Sequence, residues 1–408
     1  MNFGWVLALL LALPLQATTF EQRIQAQHHR ADAMRQLGEQ LFTEKALSGS
    51  GRIACSSCHQ RTLAYSSPQA LMPGGNRLQL RGNRAVPGLT YLQAVPQFSE
   101  HFSEDDGNDS IDNGPTGGLD WDGRADRARD QVRQPLFASN EMASTAAIIL
   151  RVLATRSYRQ TVKALYGAKA LLSPQAAVDA AASSLAAFLH SPRFYPYSSK
   201  YDAVLRGEAT LSPAEARGLA AFNDPKRGNC ASCHFSGYSA NGAPPLFTDY
   251  GYSALGLPRN PRVPANADPH FFDMGLCGPY RHDLASKKRY CGRFRTPSLR
   301  NVALKKHFFH NGVITSLHDA IAFYASRDSN PGRWYPRNGA GQIEKFNDLP
   351  KAYWPNIEMT PPFGAQAGAK PAFSEQDVRD IEAFLGTLSD GYDGAKNPPS
   401  PASPVQGG

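Results

Sequence analysis

The chain has 408 residues, of which 41% are hydrophobic, so it is long enough to bury a full apolar core, and its length suggests two domains. Its formal net charge is +8, but the basic residues are dispersed apart from the run at residues 287–289. This distribution argues against nucleic acid as a partner and is compatible with an acidic protein partner. No later stretch approaches the ~18 apolar residues that a spanning helix needs, so we expect no membrane span in the mature chain.

The N-terminus has the features of an export signal. Residues 1–17 carry no charged side chain and include an apolar run, residues 5–15, that is too short to span a bilayer. We therefore predict a cleaved signal peptide over residues 1–17 and a periplasmic mature protein. An uncleaved membrane anchor is the alternative, because no Lys or Arg precedes the run.

The elements of the first half begin with a helix over residues 20–42. Residues 61–120 are rich in Gly, Pro and Asn and are expected to be irregular. Helices then dominate: we expect one that stops at Pro135, one from Glu141 to about Thr155, and one from Pro174 to Leu189. Strand signals are sparse throughout.

Residues 191–210 lack periodicity and mark the predicted domain boundary. A helix capped by Ser212 follows, a later one is capped by Ser316, and the last runs from Ser374 to Leu388. The Pro- and Gly-rich tail at residues 391–408 is expected to be disordered.

The sequence Cys-x-x-Cys-His occurs twice, at residues 55–59 and 230–234, and is typical of covalent attachment of haem c. Two thiols one turn apart can add to the haem vinyl groups, and the adjacent imidazole can ligate the iron. A thioredoxin-like dithiol and a zinc site are the alternatives, but both leave the histidines unexplained. The predicted haem-binding residues are Cys55, Cys58, His59, Cys230, Cys233 and His234.

The two remaining cysteines, Cys277 and Cys291, are most simply a disulfide in an oxidising compartment. A redox switch and a haem-iron ligand are the alternatives. Each haem motif follows a helix that ends in Leu-Phe or Ala-Phe and a short loop, which suggests an internal duplication.

Several further segments, taken together, resemble the bacterial dihaem cytochrome c peroxidase and MauG family. They are WDGR at 121–124, Gln131, PL at 135–136, EM at 141–142, FRTPSLRNV at 294–302 and FFHNG at 308–312. The resemblance implies a mainly α fold of two cytochrome c-like helical domains, each with one covalent haem c. We place the N-terminal peroxidatic domain at residues 18–200 and the C-terminal electron-transfer domain at residues 201–390.

The resemblance also implies roles for individual residues. Glu141 is expected to take a proton from hydrogen peroxide at the first haem and return it to the departing oxygen. Gln131 is expected to orient the peroxide, and Trp121 to relay electrons between the haems. Without the resemblance, Glu141 and Gln131 would be ordinary surface residues and Trp121 a core aromatic.

Two positions bear on the choice within the family. Tyr324 stands fourteen residues after His310, where many of these peroxidases carry a methionine that ligates the second iron. A phenolate ligand favours oxidised iron and so a MauG-like enzyme, although helix spacing alone would let Tyr324 simply pack. The family's calcium site uses backbone oxygens of a Thr-x-Pro sequence where this chain has residues 305–307, KKH, so calcium is left open.

The sequence therefore predicts a dihaem oxidoreductase that reduces hydrogen peroxide at the N-terminal haem. The electrons are expected to come through the second haem from a redox protein: a small cytochrome c, a cupredoxin, or a protein substrate oxidised on Trp or Tyr. The MauG-like version, with a protein side chain as the donor, is preferred to peroxide detoxification of the ordinary cytochrome c peroxidase type. A non-catalytic dihaem electron-transfer cytochrome is the alternative of another class.

Overall fold

The structure is a computed structural model that describes residues 20–102, 114–239 and 242–394. The predicted signal peptide, residues 1–17, and residues 395–408 of the predicted tail lie outside these ranges. None of the described helices is both long and apolar enough to cross a membrane.

The described part of the chain is mainly helical, as predicted. The first half contains α1 Phe20–Thr43, α2 Cys55–Cys58, α3 Ala128–Gln131, α4 Arg133–Phe137, α5 Ala146–Leu153, α6 Arg156–Tyr166 and α7 Pro174–Leu189. The second half contains α8 Lys200–Leu205, α9 Pro213–Asn223, α10 Leu317–Ser326 and α11 Glu375–Gly386.

Sheet structure is limited to two small antiparallel pairs in the described ranges. Strand β1, Pro73–Gly74, pairs with β2, Leu80–Arg81. Strand β3, Tyr252–Ser253, pairs with β4, Phe294–Arg295. The remaining segments between helices are loops and short 3₁₀ turns, which matches the Gly- and Pro-rich composition of this chain.

The described residues form two large apolar cores, one in each half of the chain. The first is built from side chains between Leu37 and Phe194, and the second from side chains between Tyr201 and Leu388. Each core falls on one side of the predicted boundary at residue 200. The domain limits themselves stay a prediction.

The same helix crossing occurs once in each core. Gly38 on α1 faces the backbone of Ser184 on α7, and a Cβ at Gly38 would clash with the Ser184 carbonyl. Gly218 on α9 faces the backbone of Asp380 on α11 in the same way. Only glycine allows helices to approach so closely.

An aromatic pair accompanies each crossing. The rings of Phe42 and Phe188 have centroids 5.3 Å apart, and those of Phe222 and Phe384 have centroids 5.4 Å apart. Phe42 and Phe222 are the phenylalanines that precede the two Cys-x-x-Cys-His motifs. This repeated contact is what an internal duplication would leave behind, because the second copy keeps the packing of the first.

Three details of the predicted helices are wrong. Pro135 does not stop a helix but lies at the third position of α4, where its missing N–H costs no intrahelical bond. The helix predicted from Glu141 begins only at Ala146, with Thr145 as its cap. The segment 191–210, predicted to be irregular, contains α8, whose Ser199 cap was not recognised.

Candidate functional site

The first motif holds His59 through its Nδ1 atom. Its Nδ1 donates a hydrogen bond to the carbonyl oxygen of Tyr65 at 2.9 Å, so the proton is on Nδ1. Burial lowers the pKa of His59 to about 4. The lone pair of Nε2 is therefore available to a metal, which is the usual arrangement of a ligating histidine.

The second motif repeats this arrangement at His234. Its Nδ1 donates to the carbonyl oxygen of Phe247 at 2.7 Å, and burial lowers its pKa. Both predicted iron ligands are thus fixed by a backbone acceptor from the loop that follows the motif. The sequence alone predicted the histidines but not these carbonyl partners.

The four motif cysteines are partly buried and form no disulfide. Burial raises the pKa of Cys55 and Cys230 to about 12, and that of Cys58 and Cys233 to about 11. A thioredoxin-like dithiol needs the opposite shift. Cys55 packs against the first core and Cys230 against the second, so the two pairs do not converge on one zinc ion.

A cavity of about 400 Å³ opens beside the second motif. Its apolar lining includes Phe222, Leu257, Leu299, Val302, Phe308, Ile321 and Leu385. Cys230, Cys233, His234 and Tyr324 line the same space. The volume is in the range of cofactor pockets, and apolar walls with two thiols and a neutral imidazole fit a covalently bound haem.

Tyr324 reaches this cavity from α10, with its ring 5.2 Å from that of Phe363 and 6.1 Å from that of Phe309. Burial raises its pKa, and the two nearby thiols of the motif add to the effect. The phenol therefore keeps its proton unless a cation is bound beside it. Of the described residues that line the cavity, none is a methionine. Met274 packs between two apolar clusters instead.

Glu141 lies near the first motif, and Gln131 is linked to it through Asp120. Glu141 lies in the turn before α5, close enough to Cys58 for its charge to raise the pKa of that thiol, after burial itself. The side-chain amide of Gln131 donates to Asp120 at 2.9 Å. Burial raises the pKa of Glu141, and the nearby charge of Asp120 raises it further.

This cluster suits proton transfer. A glutamate whose pKa is raised holds and releases a proton closer to neutral pH than an exposed one does. The sequence reasoning missed Asp120, although it directly precedes Trp121. Its backbone lies in the left-handed region at φ 66°.

Trp121 is bound to both halves. Its indole Nε1 donates to the carbonyl of Ala85 at 2.8 Å, and its own carbonyl accepts from the backbone N–H of Arg295 at 2.9 Å. Trp121 also lines the cavity beside the second motif. Trp121 therefore contacts both halves of the molecule, and its role as an electron relay stays a prediction.

A buried arginine that the sequence reasoning missed holds this region in place. Arg84 forms two hydrogen bonds with Asp273, at 2.6 and 2.8 Å, and one with Asp122 at 2.7 Å. It thereby ties the Trp121 loop to the second half. Gly123 completes the turn with φ +63°, and a Cβ there would clash with the Tyr252 hydroxyl.

The two cysteines outside the motifs, Cys277 and Cys291, form a disulfide with Cα atoms 4.9 Å apart. Both are buried with Tyr252, Leu284 and Tyr290 in a small apolar cluster. The bond lies in the same long loop region that presents Asp273 to Arg84. It closes a short loop there and does not border the haem cavity of the second half.

The fold and these paired sites define a dihaem c-type protein of the peroxidase class. The family model described as di-haem cytochrome c peroxidase matches residues 32–210. The methylamine utilization protein MauG of Paracoccus denitrificans is 37% identical over 303 residues, which are 72% of this chain and 74% of that protein. The cytochrome c551 peroxidase of Pseudomonas aeruginosa is 27% identical over 295 residues, 72% of this chain and 71% of that protein.

Solved structures agree with these relatives. The diheme peroxidase BthA from Burkholderia thailandensis E264 superposes with a TM-score of 0.77 at 37% identity, covering 88% of this chain and 86% of that chain. A variant of the same protein with tyrosine changed to methionine gives a TM-score of 0.78. The chain belongs to the dihaem cytochrome c peroxidase and MauG family. It is an oxidoreductase that acts on peroxide and carries two haem c groups.

Proposed function

We propose that this enzyme is MauG-like: it reduces hydrogen peroxide at the first haem and takes the electrons from a side chain of a partner protein through the second. Haem c supplies the one-electron and peroxide chemistry. In this proposal Cys55, Cys58 and His59 hold the first group. Cys230, Cys233, His234 and Tyr324 hold the second.

The residues of the first site move the protons. Reduction of one hydrogen peroxide to two waters consumes two electrons and two protons. Glu141 takes a proton from one peroxide oxygen and returns it to the departing oxygen, so that the O–O bond breaks without a free hydroxide. Gln131, held by Asp120, keeps the peroxide oriented toward the carboxylate.

The observation that carries the MauG-like version is the place of Tyr324 in the lining of the cavity beside the second motif. A thioether would favour reduced iron, whereas a phenolate stabilises oxidised iron. An enzyme that withdraws electrons from a Trp or Tyr side chain must hold two oxidising equivalents until the partner delivers them. Tyrosine ligation favours that storage.

The test is addition of one equivalent of hydrogen peroxide to the fully ferric, haem-loaded protein with no prior reduction. We expect a rapid Soret change and a near-infrared band from charge resonance between the haems. Tyr324→Met is expected to need one-electron reduction before it reacts, and Tyr238→Met, which changes an exposed tyrosine of the same half, to behave as the wild type.

The opposite result identifies the ordinary enzyme. If the wild-type ferric protein is inert and reacts only after one haem is reduced, it is a cytochrome c peroxidase whose donor is a small cytochrome c or a cupredoxin. If it is inert in both states, it is an electron carrier.

We also propose that the protein is periplasmic. The apolar, uncharged residues 1–17 support export, and covalent haem attachment takes place outside the cytoplasm. N-terminal sequencing of the mature protein is expected to find a start just after Ala17. A mature protein that still begins at Met1 would contradict cleavage.

A further inference from the structure

A partly buried lysine, Lys305, lines the cavity beside the second motif. It follows the 3₁₀ turn Val302–Leu304 and lines the second haem cavity together with Arg295. Burial and the nearby charge of Arg295 lower its pKa to about 8. Among the ion pairs of the described residues, none includes Lys305 or Arg295, although Asp273, Asp348 and Glu358 line the same cavity.

The far end of the same side chain meets the first half of the molecule. A Cβ built on Gly88 would lie 3.4 Å from Cε and 3.7 Å from Nζ of Lys305, and 3.6 Å from the carbonyl oxygen of Ala64. Ala64 and Gly88 belong to two different loops of the first half. Lys305 therefore crosses from the second site to the first.

Those two loops are the ones that hold His59. The carbonyl of Tyr65, next to Ala64, accepts the hydrogen bond from His59 Nδ1. The backbone of Pro87, next to Gly88, also acts on the His59 ring through hydrogen bonding. The ammonium of Lys305 thus lies beside the loops that hold His59. Lys305 also lines the cavity that contains His234.

Residues 305–307 do not fit the calcium ion that the family binds at this place. Calcium takes six to eight oxygen ligands, whereas residues 305–307 bring an ammonium and an imidazole to the place of the Thr-x-Pro sequence. His307 Nε2 donates to the carbonyl of Pro68 at 3.1 Å, so that carbonyl oxygen already has a partner. A divalent cation here would also face the positive charge of Lys305.

We propose that Lys305 supplies, from the chain itself, the positive charge between the two haem sites, and that the enzyme therefore works without calcium. A positive charge beside both sites would favour the reduced state of a haem held there and raise its reduction potential. Lys305 is in this sense a positioning and tuning residue. The inference depends on the two haem sites and not on ligation by Tyr324.

The experiment measures the two haem potentials by spectroelectrochemical titration of the full-length, haem-loaded protein. Lys305→Met is expected to shift the reduction equilibrium of at least one haem about tenfold toward the oxidised form, which is ~59 mV for one electron. Lys305→Arg keeps the charge and is expected to stay near the wild type. Lys306→Met removes the same charge from the exposed neighbour and serves as the matched control.

Chelation provides a second measurement that needs no variant. After dialysis against EGTA, the wild type is expected to keep its potentials and its rate of reaction with peroxide. Loss of either property on chelation, with recovery on adding calcium, would overturn the proposal. Potentials of Lys305→Met equal to those of Lys306→Met would overturn it as well. Neither outcome affects the Tyr324 test, because that test asks whether ferric protein reacts without reduction.

Discussion

Glu141→Gln isolates the proton-transfer step of the peroxide reaction. The amide keeps the size and hydrogen-bonding reach of the carboxylate but cannot accept a proton and return it. Positioned acid–base groups contribute about 10²–10⁴-fold to rate, which corresponds to ~3–5 kcal/mol of transition-state stabilisation. Because burial and Asp120 raise the pKa of Glu141 toward the working pH, we expect the full loss in this range.

The assay is stopped-flow mixing of the haem-loaded variant with hydrogen peroxide, followed at the Soret band. Haem content and the ferric spectrum are expected to match the wild type, since Glu141 neither attaches nor ligates a haem in the proposed site. Asp130→Asn removes an exposed carboxylate next to Gln131 and controls for the change of charge. A Glu141→Gln rate within a few-fold of the wild type would refute the assignment.

Three further perturbations test other parts of the structure. Asp120→Asn removes a charge that raises the pKa of Glu141, so the fall in rate on acidification is expected at lower pH, as a pH profile of the peroxide reaction would reveal. Arg300→Met removes the ion-pair partner of Asp202, a carboxylate that is only 1% exposed. Urea titration is expected to show that the free energy of unfolding falls by ~3–5 kcal/mol. Replacing Cys277 and Cys291 by serine opens a loop of sequence separation 14 and is expected to cost ~3 kcal/mol, seen in calorimetry as a lower Tm.

The helical fold could be predicted because each signal was local. The Ser-x-x-Glu and Ser-x-x-Asp caps at Ser212 and Ser374 each satisfy the first turn of a helix within four residues. Pro135 was misjudged because its effect depends on its position in the turn, which the sequence does not give. The helix after Glu141 was placed too early because only Thr145 makes the capping bond.

The candidate site was predictable only where a motif fixes the chemistry. The Cys-x-x-Cys-His motifs gave His59 and His234, since attachment and ligation are encoded in five consecutive residues. Arg84 could not be found in this way, because its partner Asp273 is 189 residues away. Lys305 was visible only as a departure from the family pattern, and its role depends on a contact with Gly88 that no sequence spacing indicates.

The two halves share a scaffold and differ in the chemistry around it. Each has a glycine crossing, a phenylalanine before the motif, and a histidine held by a backbone carbonyl, so these features set where an iron would lie and do not decide what it does. The difference comes from residues outside the repeat: a carboxylate cluster around Glu141 beside the first motif, and Tyr324 in the second cavity. In the proposed function, the carboxylates give the first site a proton carrier, and a tyrosine ligand at the second iron would leave no place for peroxide there. In this proposal the division of labour between the haems depends on these additions, and Trp121 and Lys305, which contact both halves, are where one site can influence the other.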